Sequence, residues 1–337
     1  MIIILKKTCP KEERAELLKR LESFNLKPFV SEGVEKTIIC IVGDSRHKNI
    51  DTLSSLPGVE KVVPILNSYK LAGIEAKQAK TKIKVKGHII GDDSVTIIAG
   101  PCSIEDEASI MATAKAVKLA GANFLRGGAY KPRTSPYAFS GLKEEGLKYL
   151  KKAGKTYGLI TVTEVVDSKD VNLVASYADV LQIGARNMQN YALLKKVGKT
   201  NKPVLLKRGM SATLNEFLQC AEYILAEGNQ KVILCERGIK TFSDFTRNTL
   251  DLNIIPAIQA KSHLPIIIDP SHGTGVRKYV PSMAKAAIAA GADGIIIEVH
   301  EKPEEALTDG FQSINFPEFN ILMKQLKGIA KAVDKKI

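Results

Sequence analysis

Tryptophan is absent from this 337-residue chain, and aromatic residues make up only 6% of it. Nucleic-acid modules interleave aromatics with a compact basic stripe. The chain has no such stripe, although its formal net charge is +13, and most of the Lys excess is spread over helical faces as solubilising charge. Cysteines number five, at 9, 40, 102, 220 and 235, and no two have CxxC spacing. That odd, scattered set excludes a disulfide frame or a zinc knuckle. No apolar run approaches the ~18 residues of a membrane span. The Met1–Leu5 run is too short for a signal h-region and has no cationic segment before it. A cytoplasmic chain with no nucleic-acid or membrane partner is expected. A GxGxxG after the first strand is also missing, which disfavours a dinucleotide-binding fold. What remains is ordinary for a globular protein, 45% hydrophobic and 25% charged, and this excludes disordered, collagen-like and coiled-coil chains.

At roughly 150 residues per domain the length suits two domains, or a large barrel with an appendage. Ile2–Lys6 reads as a strand. Pro10 then opens a helix in which Ala15, Leu17, Leu18, Leu21 and Phe24 keep helical spacing. Strands follow at 27–31 and 36–42, then a short helix with Ile50, Leu53 and Leu56, stopped by Pro57-Gly58, and a last strand over Val59–Ile65. The order βαββαβ predicts a ferredoxin-like domain over 1–66. Residues 67–81, polar and then Lys/Ala-rich, are the expected linker.

From residue 82 the rhythm changes. A short hairpin (83–85, 88–90) precedes eight apolar runs, each followed by a helical stretch: 95–99, 123–126, 160–163, 180–183, 204–206, 232–234, 266–268 and 295–297. Runs buried on both faces and alternating with helices indicate a parallel sheet. Eight such units over ~250 residues predict a (β/α)8 TIM barrel spanning 82–337, with its active site at the C-terminal strand ends.

Those ends are rich in chemistry. Closure makes the first strand a neighbour of the eighth, so Cys102, His272, Glu298 and Asp309 are expected in one quadrant. A thiolate, an imidazole and two carboxylates suit a borderline divalent metal ion better than Mg²⁺ or Ca²⁺. Arg126, Lys131, Arg133, Arg186, Lys207, Arg208 and Arg237 are expected on the opposite rim. Cations facing one another across a cleft repel unless anions lie between them, and Arg forks suit phosphate and carboxylate.

The strand-end motifs resemble those of 3-deoxy-D-arabino-heptulosonate 7-phosphate synthase, type Iβ, the first enzyme of the shikimate pathway of aromatic amino acid and chorismate biosynthesis. They are GPCS at 100–103, LRGGAYKPRTSP at 125–136, IGARN at 183–187, LKRG at 206–209, ERG at 236–238, DPSHGTG at 269–275 and IEVH at 297–300. The resemblance implies a transferase that condenses phosphoenolpyruvate with erythrose 4-phosphate and releases phosphate by C–O cleavage. It implies Cys102, His272, Glu298 and Asp309 as ligands of a divalent ion of the Mn, Fe, Zn, Co or Cd type. It further implies Arg126, Lys131, Arg186, Lys207 and Arg237, with the backbone of Gly184 and Ala185, as the phosphoenolpyruvate site. Arg133 and Thr134 would hold the erythrose 4-phosphate end. Lys207 and Glu164 would orient water and move a proton, while Cys102 would serve the reaction through the metal. The N-terminal unit resembles the family's regulatory domain, which implies tyrosine or phenylalanine as an allosteric effector, and members are commonly homotetramers.

Three rival readings differ in chemistry. A 3-deoxy-D-manno-octulosonate 8-phosphate synthase would take arabinose 5-phosphate, but that family usually has Ala-Asn-Arg-Ser where this chain has Lys131-Pro-Arg-Thr134, and it lacks the N-terminal domain. A Schiff-base aldolase would use Lys207 as nucleophile. A catalytically silent sensor would need a broken metal set, and all four positions are intact.

Overall fold

A computed structural model describes residues 1–33, 36–42, 50–63, 68–132 and 135–337. The chain divides into two compact units, one of residues 1–80 with 259–263 and one of 81–258 with 264–337. No helix among the described residues is long and apolar enough to cross a membrane.

The first unit has the expected βαββαβ order: β1 (Ile2–Leu5), α1 (Lys11–Ser23), β2 (Lys27–Glu32), β3 (Thr37–Val42), α2 (Ile50–Ser54) and β4 (Val59–Val63). Its sheet is antiparallel, with strand order β2-β3-β1-β4. The apolar β1 is flanked on both sides, as its run of Ile and Leu requires. Leu17 and Leu21 of α1 and Leu53 of α2 bury their stripe against Ile3, Leu5, Ile39 and Ile41. Within residues 68–80, Tyr69, Leu71, Ala72 and Ala76 are buried. The Leu71 carbonyl meets His263 Nε2 at 2.7 Å.

The second unit begins with a hairpin, β5 (Ile83–Val85) and β6 (His88–Ile90). Eight strands then close into a parallel barrel: β7 (Thr96–Gly100), β8 (Phe124–Arg126), β9 (Ile160–Glu164), β10 (Val180–Ile183), β11 (Val204–Lys207), β12 (Val232–Glu236), β13 (Ile266–Ile268) and β14 (Gly294–Glu298). The helices between and after them are α3 (Glu107–Ala120), α4 (Lys143–Tyr157), α5 (Val171–Tyr177), α6 (Tyr191–Gly198), α7 (Leu214–Ala226), α8 (Ile254–Lys261), α9 (Pro270–Thr274), α10 (Val280–Ala289) and α11 (Phe316–Ala332). Closure pairs β14 with β7, setting Glu298 opposite Gly100. The Ala-Gly-Ala stretches at 120–122 and 290–292 predict helix ends at their glycines, and Gly121 ends α3 with a left-handed φ of 104°, while Gly291, at φ 95°, follows α10.

The hairpin closes the N-terminal end of the barrel. Ile83, Val85 and Ile90 join the core with Phe124, Ile160 and Val180, the first residues of three barrel strands. His88 packs edge-on against Phe124, with ring centroids 5.1 Å apart, and its Nε2 lies 3.2 Å from Thr96 Oγ1. Burial lowers the His88 imidazole below its ordinary value, against a weaker pull from Asp92. The folded state therefore favours the neutral ring. Its contribution to stability is complete above the unfolded pKa of about 6.5 and declines as pH falls below it. Thermal unfolding of the metal-free protein should show a smaller loss between neutral and acidic pH in His88→Gln than in wild type. An unchanged loss would remove His88 as a source of acid sensitivity.

Candidate active site

Arg126, Glu164, Lys207, Glu236 and Glu298 are each the last residue of a barrel strand, and all five are buried. Buried charges persist only when paired, and the pairs other than that of Glu236 gather around one cavity of about 320 Å³ at the C-terminal end. Arg126, Lys131, Glu164, Arg186, Lys207, Arg237, His272 and Asp309 all line it.

The thiol and carboxylates meet as the strand order predicts. Cys102 Sγ lies 3.2 Å from Asp309 Oδ2, and ligand atoms of Cys102, Glu298 and Asp309 all fall within 4.8 Å of one another. His272 stands beside this trio, its Nε2 3.5 Å from Glu298 Oε1. Burial lowers the His272 imidazole below its ordinary value despite the opposing pull of Asp269 and Glu298. The neutral ring can keep its proton on Nδ1, which faces Asp269 Oδ2 at 2.8 Å, leaving an Nε2 lone pair aimed at a carboxylate oxygen. Burial alone would raise the Glu298 carboxyl; the positive charges around it, Arg126 and Lys131 among them, outweigh it and hold it at about 2. Glu298 Oε1 is buried and accepts no hydrogen bond among the described residues. Two acceptors facing each other in a dry site, next to a thiol and a second carboxylate, fit a cation bound between them. Burial, reinforced by Glu298, pushes the Cys102 thiol up to about 12, so a cation that takes this sulfur must displace its proton.

The expected separation of cations from this set does not hold. Lys131 Nζ lies 3.0 Å from Cys102 Sγ, Arg126 Nη1 3.1 Å from Glu298 Oε1, and Arg247 Nη1 3.5 Å from Asp309 Oδ1. Each acidic group of the trio has its own cation in the same cavity. Lys207 Nζ is 2.5 Å from Asp269 Oδ2. Burial would raise the Asp269 carboxyl, but His272 and Lys207 hold it well below the usual carboxylate range. Arg237 carries a buried Nη1 with no hydrogen-bond partner among the described residues, a donor left for a ligand. Arg208 departs from expectation. Its guanidinium turns away from the cavity to Glu236 at 3.0 Å and Asp251 at 2.9 Å. Successive residues at a strand end point to opposite sides, so Lys207 and Arg208 cannot both face the site. Arg133 and Thr134 lie outside the described residues.

Glu164 and Gly184 explain each other. Gln182 Nε2 lies 3.5 Å from Glu164 Oε2, and a Cβ added at Gly184 would stand 2.0 Å from Glu164 Oε1. Gly184 has an ordinary φ of −69°. It is needed for space, not for conformation. Gly184→Ala should therefore displace the Glu164 carboxylate, the far end of a flexible side chain, at little cost in thermal midpoint, and the displacement should be read as weaker binding of the anionic substrate. Wild-type binding would show that the position of the carboxylate does not matter to the site.

Sequence reasoning missed Asp269, Arg247 and Gln312. Asp269 stood in a recognised motif but has the signature of a plain helix cap: it precedes Pro270, and its Oδ1 accepts from the His272 backbone N–H at 2.9 Å. Its other oxygen binds Lys207 and His272. Arg247 and Gln312 lie in long loops away from any strand end and carry no local signal.

Comparison with known proteins finds relatives over the whole chain. A family model described as "DAHP synthetase I family" matches residues 74–334, and one described as "DAHP synthase ferredoxin-like domain" matches residues 1–67. The chain is 50% identical to a phospho-2-dehydro-3-deoxyheptonate aldolase of Thermotoga maritima, over 100% of both chains. It is 31% identical to a 2-dehydro-3-deoxyphosphooctonate aldolase of Geobacter sulfurreducens, over 71% of this chain and 93% of that protein. A crystal structure of the Thermotoga maritima DAHP synthase superposes with a TM-score of 0.80, at 50% identity, over 99% of this chain and 98% of the other.

Proposed function

Because the chain belongs to the DAHP synthetase I family, and because one cavity joins a thiol–imidazole–carboxylate cluster to a set of cations, we propose that it condenses phosphoenolpyruvate with D-erythrose 4-phosphate. The products are 3-deoxy-D-arabino-heptulosonate 7-phosphate and phosphate. The observation that carries this reading is the buried Nη1 of Arg237, without a hydrogen-bond partner among the described residues, in a cavity that Lys207, Arg126 and Lys131 also line. Such a cavity calls for a compact, multiply charged anion.

In this reading Cys102, His272, Glu298 and Asp309 hold a divalent ion of the Mn, Fe, Zn, Co or Cd type. Bound there, it supplies Lewis acidity to the aldehyde oxygen of the aldose phosphate. Arg126, Lys131, Arg186, Lys207 and Arg237, with the backbone of Gly184 and Ala185, bind phosphoenolpyruvate, and Arg133 and Thr134 bind the aldose phosphate. C3 of the enol attacks the aldehyde carbon, leaving positive character on C2. Water adds to C2, and the resulting hemiketal phosphate collapses to the ketone as its C–O bond to phosphate breaks. Lys207, held on Asp269, and Glu164 orient that water and move its proton. With phosphoenolpyruvate labelled in the bridging oxygen, the label should leave in the phosphate. Label retained in the sugar product would contradict C–O cleavage.

Relatives that are 2-dehydro-3-deoxyphosphooctonate aldolases supply a second reading, in which arabinose 5-phosphate is the acceptor. The ferredoxin-like match over residues 1–67 favours the first, and in this reading that domain takes tyrosine or phenylalanine as feedback inhibitor of a homotetramer. A structure titled as a truncated form of the Thermotoga maritima synthase matches 79% of this chain. Removing residues up to about Leu66 should leave an active barrel that no longer responds to aromatic amino acids. The lost coupling would be about 1–3 kcal/mol. Persistent inhibition of the truncated enzyme would move the effector to the barrel.

A further inference from the structure

Gln312 lies on the loop between β14 and α11 and is fully buried. Its Nε2 donates to Glu298 Oε2 at 2.6 Å, and its Oε1 accepts from Arg247 Nη1 at 2.9 Å. Both partners dictate the same orientation of the amide. A guanidinium can only donate and an ionised carboxylate can only accept, so the amide oxygen must face Arg247 and the amide nitrogen must face Glu298. Glu298 Oε2 is thereby occupied, and Oε1 is the oxygen left facing His272 Nε2 at 3.5 Å and Arg126 Nη1 at 3.1 Å.

Arg247 is itself held in place by the turn that carries His272. Its backbone N–H donates to Thr274 O at 2.9 Å, and the next residue, Asn248, donates from Nδ2 to His272 O at 2.9 Å. The glycines of the Asp269–Gly275 turn make room for this segment. A Cβ at Gly275 would stand 2.4 Å from Arg247 Cβ, and one at Gly273 would stand 2.5 Å from Leu250 Cδ1. The loop between β12 and α8 therefore lies against the His272 turn and delivers Arg247 to Gln312.

From this geometry we infer that Gln312 is a positioning residue of the proposed metal site. Its amide, oriented by Arg247, ties down one oxygen of Glu298 so that the carboxylate offers a single oxygen to the ion. The inference rests on the reading of Cys102, His272, Glu298 and Asp309 as metal ligands. It is distinct from the ligand set, since Gln312 and Arg247 touch the ion only through Glu298 and Asp309. Partners of this kind fix ligand orientation, and their loss typically weakens metal binding about 10- to 100-fold.

The test is titration of the intact metal-free protein with Co²⁺, followed by calorimetry, by the thiolate-to-cobalt charge-transfer band and by the visible ligand-field bands. Gln312→Met keeps chain length and apolar volume but removes both hydrogen bonds. It should weaken Co²⁺ binding about 10- to 100-fold and shift the ligand-field bands. The thiolate band should stay at its wild-type position, and the metal-free protein should still unfold cooperatively, at a midpoint lowered by the two buried hydrogen bonds it has lost. Arg247→Met leaves the Gln312 amide nitrogen on Glu298 but unties its oxygen, so the side chain loses one of its two anchors, and the same ligand-field bands should shift. Because it also removes a positive charge, the spectrum rather than the affinity is its readout, and it carries the test alone if Gln312→Met does not fold. Wild-type affinity and an unshifted spectrum in Gln312→Met overturn the inference, as does an unshifted spectrum in Arg247→Met. So does an affinity loss in a metal-free Gln312→Met protein that no longer unfolds cooperatively, which would make the role structural. A wild type lacking the thiolate band would instead overturn the metal reading itself.

Discussion

Lys207→Ala is expected to lower kcat/KM by at least ~10²- to 10³-fold, about 3–4 kcal/mol of transition-state stabilisation. The ammonium is buried and lines the cavity, where a fixed charge is screened little. Its removal acts twice. It takes a cation from the anion site and strips Asp269 of its partner at 2.5 Å. Asp269 also orients His272 through Nδ1 at 2.8 Å, so metal binding should weaken together with phosphoenolpyruvate binding. Steady-state kinetics with calorimetric titration of each ligand separates the two effects. A variant within a few-fold of wild type would remove Lys207 from the chemistry.

Cys102→Ala carries the second large effect. With the thiol gone, the trio within 4.8 Å loses its soft ligand, and a Lewis acid worth several kcal/mol should go with it. Activity should fall about 10³-fold or more, and added metal should not restore it. The barrel should still fold. Cys102 contributes a small side chain beyond the strand end, and Lys131 Nζ keeps the Cys102 carbonyl oxygen at 3.2 Å. Metal content and thermal unfolding, measured alongside rate, decide the matter. Full activity in a folded Cys102→Ala protein would contradict the ligand assignment.

The legible part of the fold was whatever periodicity could report. Apolar runs marked all eight barrel strands to within about two residues, because each is buried on both faces. Gly121 and Gly291 marked two helix ends, because only glycine takes φ near 100° without strain. The site was legible wherever a charged residue closed an apolar run, as Arg126, Glu164, Lys207 and Glu298 do. Cyclic closure then gave the proximity of Cys102 to Glu298 and Asp309.

Pairing was not legible. Each charge at a strand end is buried, so it needs a partner, and the partner can come from any loop over the same mouth. Asp269 serves His272 and Lys207 together, which a sequence reads only as a cap. Arg247 and Gln312 reach Asp309 and Glu298 from loops whose paths no local pattern dictates. For the same reason the cations could not be assigned to an opposite rim. Lys131, Arg126 and Arg247 lie on the acidic groups themselves. Arg208 was misread because a run of basic residues hides which one the strand turns inward.

The most direct test of the central claim is phosphate release from phosphoenolpyruvate with erythrose 4-phosphate or arabinose 5-phosphate, before chelation, after it, and after restoring Co²⁺ or Mn²⁺. The account predicts turnover with erythrose 4-phosphate that chelation abolishes and either ion restores, and far slower release with arabinose 5-phosphate. An undiminished rate in the fully chelated enzyme, or a preference for the five-carbon aldose, would contradict it.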